Sequence, residues 1–76
     1  MGVTEDLADA LARDTIAAME KIDDEDFSAK VAKELGATST TMEEAYMTAM
    51  RVRLAEKRAR DFLKTRLREA VADASK

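Results

Sequence analysis

No proline occurs in this 76-residue chain, and its two glycines are Gly2, at the start, and Gly36. These are the two strongest helix breakers, costing roughly 1 kcal/mol (Gly) and 3 kcal/mol (Pro) against alanine inside a helix. Neither breaker occurs after Gly36. From Met42 to about Ala74 the chain is dominated by Ala, Leu, Arg, Lys and Glu, all strong helix formers. A helix over 42–74 would be a rod of about 50 Å.

The earlier half shows the same period. Thr4 is placed as an N-cap, with Glu5 and Asp6 favouring the positive end of the helix dipole in the first turn. From there Leu7, Ala8, Leu11, Ala12, Thr15, Ala18, Met19 and Ile22 share one face, which predicts a helix over 4–22. Asp23 and Asp24 interrupt the pattern, because aspartate competes with the backbone inside helices and prefers caps. Phe27, Val31 and Leu35 then recur at i, i+4 and i+8, predicting a second helix over 25–35. Gly36 is expected to end it in a left-handed conformation, and residues 37–40 to form the turn. Thr41 with Glu44 is read as a capping box opening the third helix. The expected fold is all-α, a helical hairpin or three-helix arrangement with a long C-terminal helix, as one domain over 1–76.

Composition removes several classes of function. Apolar residues make up 46% of the chain and charged residues 38%, a balance suited to a folded chain rather than a disordered one. Cysteine and histidine are absent, so disulfides, thiolate chemistry, Cys/His zinc sites and imidazole catalysis are excluded. The hydroxyl cluster at Thr38, Ser39, Thr40 and Thr41 has no histidine to serve as base. The acidic run Asp23, Asp24, Glu25, Asp26 lacks the alternating ligands and turn glycine of a calcium loop. No enzyme, metal, cofactor or small-molecule substrate is expected. Neither a membrane-length apolar run nor a basic-then-apolar leader is visible, so a cytoplasmic location is expected.

The net charge of −3 hides a polarised chain. Residues 1–44 hold 4 basic and 12 acidic side chains, whereas residues 45–76 hold 9 and 4. Within residues 51–68 the balance is 8 basic to 2 acidic. Arg53, Lys57, Arg60, Lys64 and Arg68 recur every three or four residues and align on one helical face. Such a row suits an acidic protein or a phosphate backbone. Beside it lie Phe62, Leu63 and Leu67, which two short helices cannot reach if they pack on the first half of the long one. Either a second copy or a protein partner would then cover them.

The segment 28–47 offers a competing reading. Ala32, Gly36, Thr38 and Met42 stand where a helix-turn-helix has its small residue, turn glycine, turn hydroxyl and apolar position on the second helix, with Val31 and Leu35 at buried positions. This segment resembles the helix-turn-helix motif of DNA-binding proteins, which implies a DNA-reading second helix. Glu43 and Glu44 depart from that pattern, since carboxylates on the base-facing part repel phosphates. The preferred expectation is a non-enzymatic regulatory or inhibitory protein. It would bind a protein partner through Arg53, Lys57, Arg60, Lys64, Arg68, Phe62, Leu63 and Leu67, with homodimerisation expected. Nucleic-acid binding through the basic row or the 28–47 corner is the alternative.

Overall fold

The computed structural model describes residues 2–75 as three helices: α1 (Val3–Met19), α2 (Phe27–Gly36) and α3 (Thr40–Ala74). No strand occurs among the described residues. The expected all-α arrangement with a long C-terminal helix is the fold observed.

The helix ends differ from the sequence reading in instructive ways. Residue Gly2, not Thr4, is the N-cap of α1, and the Glu5 carboxylate accepts a hydrogen bond from the Gly2 amide at 3.1 Å. The acidic first turn thus caps from inside the helix. At the other end α1 stops at Met19 instead of Ile22, and Ile22 is exposed. Asp24 explains why α2 begins at Phe27 and not Glu25. Its carboxylate accepts from the Asp26 amide at 3.0 Å, a local turn that competes with helix, and from Lys30 Nζ at 2.8 Å. Gly36 is helical, not left-handed: no residue among those described has a positive φ. Instead of a glycine cap, the turn is closed by backbone bonds from the Thr38 and Ser39 amides to the Leu35 carbonyl, at 3.1 and 2.8 Å. Ser39, in an extended conformation, is the N-cap of α3, its hydroxyl accepting from the Met42 amide at 3.1 Å. The capping box placed at Thr41 and Glu44 is therefore displaced by a serine two residues earlier.

The two short helices flank the first half of α3 in opposite directions. The turn at 37–39 sends α2 back antiparallel to it, and the Tyr46 hydroxyl donates to the Ser28 carbonyl at 3.2 Å. Helix α1 runs parallel to α3: Thr4 and Glu5 lie near Thr41 and Glu44, Asp9 near Arg53, and Ile16 and Met19 near Leu54 and Lys57. The core is small. Ala8, Ala12, Ala32, Tyr46 and Met50 are buried, ringed by half-buried Leu11, Ile16, Met19, Val31, Leu35, Met42 and Leu54. Alanines let the three backbones approach closely, and Tyr46, 1% exposed, fills the space they leave. Thr15 is buried on α1 without cost because its hydroxyl donates to the Leu11 carbonyl at 2.8 Å. Leu7, expected on the buried face, is 57% exposed: the face that α1 turns to α3 is centred on Ala8, Ala12 and Thr15, and Leu7 lies at its edge.

Beyond Leu54 every described residue of α3 is exposed. Helix α1 reaches only as far as Asp61, where Ile16, Met19 and Glu20 meet Arg58 and Asp61. The outer half of α3 projects from a three-helix head, and the molecule measures 58 × 31 × 13 Å.

Candidate interaction surface

The outer half of α3 is helical for the reason its sequence suggests: no breaker, and a series of carboxylate–cation pairs one turn apart. Glu56 and Arg60 pair at 2.6 Å, Lys57 and Asp61 at 3.6 Å, and Arg66 and Glu69 at 2.8 Å. Such exposed pairs add only tenths of a kcal/mol each, but they suit a rod with no neighbour. On this rod Phe62 is 68% exposed, Leu63 61%, Leu67 62% and Val71 57%. Leu63, Leu67 and Val71, each about one turn on from the last, form an exposed apolar row of the kind that monomeric proteins seldom leave wet, and Phe62 is exposed about 100° round the helix from Leu63.

The basic row does not behave as one unit. Arg53 turns inward and grips Asp9 of α1 with two parallel hydrogen bonds, Nε to Oδ1 at 2.6 Å and Nη2 to Oδ2 at 2.7 Å. The hydrogen bond from the Arg53 guanidinium holds the Asp9 carboxyl below the usual carboxylate range, and Asp9 in turn raises the Arg53 guanidinium. Arg53 is therefore a clamp between helices rather than a free cation of the surface. Lys57 and Arg60 are engaged with acids on their own helix. Lys64 and Arg68 make no carboxylate pair among the described residues, and both stand beside the apolar patch. Leu63, Leu67, Lys64 and Arg68 thus lie on adjoining faces of the projecting rod, with Phe62 on the same rod but apart from them, while Arg53 belongs to the head.

A second feature lies on the head and was not singled out from the sequence. Between α1 and the start of α3 runs an open groove of about 620 Å³. It is lined on the α3 side by Ala45, Thr48, Ala49 and Val52, and carries the acids Glu5, Asp6, Asp9 and Glu44. Small α3 residues at spacings of three and four were the available signal. Only the packing of α1 alongside α3 turns them into a groove with an acidic wall.

The corner at 28–47 has little with which to grip a phosphate backbone. No Lys or Arg occurs from residue 34 to residue 50. Glu44 lines the groove, and the Glu43 carboxylate lies over Gly36, filling the space where a side chain would begin. No group of three or more acidic residues among those described is placed to hold a metal ion. No described helix is long and apolar enough to cross a membrane. The chain matches no protein-family model, no curated protein and no solved structure.

Proposed function

We propose that the chain is a non-enzymatic regulatory or inhibitory protein that acts by docking the outer half of α3 on a protein surface. The observation that carries this reading is the rod itself. Phe62, Leu63 and Leu67 are exposed on a helix that the rest of the chain does not reach. Burying such side chains is worth roughly 1.5–3 kcal/mol each, so a fold that leaves them wet gains substantially from a partner. Lys64 and Arg68, without acids of their own, favour a partner whose apolar site has an acidic rim. A reducing cytoplasm fits a chain without cysteine.

The same two cations, with Arg58 and Arg66, are what favours the alternative, a nucleic-acid binder. One experiment separates the two. Immobilised wild-type chain and a Phe62→Glu, Leu67→Glu variant are exposed to a cytoplasmic extract, and both are assayed for gel shift with duplex DNA and RNA. Protein docking is expected to give one stoichiometric, identifiable protein on the wild type and none on the variant, with no shift. A shift that survives the double substitution, falls steeply with salt and disappears on Lys64→Ala, Arg68→Ala would establish the nucleic-acid reading instead.

A further inference from the structure

We infer that the occupant of the projecting face is a second copy of this chain, paired antiparallel along α3, with each outer half seated in the other's groove between α1 and α3. This rests on the protein-docking reading of the face and names its partner. Three independent features of the molecule fit one another in this pairing.

Side-chain size is the first. At about 100° per residue, Ala45, Thr48, Ala49 and Val52 lie on the same side of α3 as Ala59, Leu63, Leu67 and Ala70. One continuous stripe therefore runs the length of the helix, with Leu63 and Leu67 as its largest side chains. Antiparallel pairing about a midpoint near residue 57 sets Leu63 opposite Val52 of the other copy, and Leu67 opposite Thr48. Ala70 then falls opposite Ala45, so each leucine packs on Val52 or Thr48 and alanine closes both ends of the contact, which lets the helices approach closely. Parallel pairing would instead set Leu63 against Leu63 and Leu67 against Leu67.

Charge is the second. A two-fold axis perpendicular to the helices leaves both α1 helices on the same side of the pair. Lys64 lies on the α1 side of the stripe and comes alongside the wall formed by α1 of the other copy, whereas Arg68, about 150° round the helix from the stripe, points away from it. That wall carries Glu5 and Asp6, neither of which is held by a lysine or arginine among the described residues. Lys64 of the rod thus meets the acidic wall of the groove, and the polarised charge of the sequence becomes complementarity between copies.

Area is the third. The described chain exposes 6046 Å², whereas a folded monomer of 8.4 kDa typically exposes ~4,600 Å². The excess is larger than the ~800 Å² per partner that a stable interface of ordinary size buries. A two-fold contact covers both rods at once and leaves no open end for further addition.

The absence of cysteine makes the test direct. Val52→Cys and Leu63→Cys chains, both substituted at exposed positions, are mixed and oxidised, and sedimentation of the untagged wild type is followed from micromolar to millimolar concentration. The expected result is a wild-type dimer and a predominant disulfide between Cys at 52 of one chain and Cys at 63 of the other. Leu63→Glu should give a monomer with unchanged helical content, and adding Val52→Lys to it should restore the dimer. A wild type that is monomeric throughout overturns the pairing, as does a dimer whose crosslinks join position 63 to position 63. Neither result touches the docking reading itself, which falls if the extract yields no stoichiometric protein, whether another protein or this chain, that the Phe62→Glu, Leu67→Glu variant fails to capture.

Discussion

Gly36 shows how one backbone angle reverses the sign of a substitution. A glycine in the left-handed region resists any side chain, but Gly36 is helical, where alanine is the better residue. A Cβ built there would stand 2.6 Å from Glu43 Oε2, the far end of a flexible side chain that can swing aside. Gly36→Ala is expected to stabilise the fold by about 0.4–1 kcal/mol, chiefly by reducing the freedom of the unfolded chain. For a domain of this size that is a rise of ~2–8 °C in thermal midpoint. Gly36→Ala, Glu43→Ala removes the contact and should retain the gain. A lower midpoint in both variants would show that the α2–α3 turn requires the glycine.

At the scale of elements, the side-chain hydrogen bonds that span most sequence among the described residues are those of the Asp9–Arg53 clamp, which joins α1 to α3 across 44 residues. Its bidentate geometry fixes how α1 lies along α3, and with it the width of the groove. Because Asp9 titrates below its ordinary value of 3.8 in the folded chain, it contributes stability above that value. The contribution is lost as pH falls through the lowered folded value. The raised guanidinium of Arg53 stays charged across this range and adds no pH dependence of its own. Asp9 remains half-exposed, so solvent and salt weaken the clamp. Thermal midpoints recorded from pH 7 to pH 2 should fall less steeply in Asp9→Asn than in the wild type, from a lower value at neutral pH. Superimposable acid limbs in the two proteins would show that the clamp does not form in solution.

The whole molecule is a small head with a long handle. Its radius of gyration, 16.4 Å, far exceeds the ~11 Å of a compact domain of this length, because α3, of 35 residues, extends to about 52 Å. The head's buried residues all lie between Ala8 and Met50, so the last turns of α3 contribute nothing to that core. A chain truncated after Lys64 is expected to keep the helical head. Its denaturation midpoint should be independent of protein concentration and should match the dilute limit of the full chain. The full chain should instead gain stability with concentration, as linkage to association requires. A truncated chain that unfolds would mean that the handle supports the head directly.

Helix content, the order of the three elements and the unbroken length of the last one were all legible from residue types. They depend on local causes: absent breakers, apolar spacing and polar interruptions at Asp23 and Asp24. Exposed Phe62, Leu63 and Leu67 were legible too, since two short helices cannot cover a much longer one. Helix ends were less so, because Thr4, Thr41 and Gly36 are each able to cap, and small differences in local hydrogen bonding chose Glu5, Ser39 and the Leu35 carbonyl instead. What the sequence could not decide is which residues meet across the fold. Arg53 shares the spacing of Lys64 and Arg68, and only the position of α1 makes it a structural clamp while they pair with no acid among the described residues. Leu7 has the period of a core residue, and only the orientation of α1 leaves it in water. The α3 side of the groove is a run of alanines and small residues until a second helix lies beside it. Local propensity is a property of neighbouring residues, whereas pairing between helices depends on their relative placement, and that is decided by the packing of all three together.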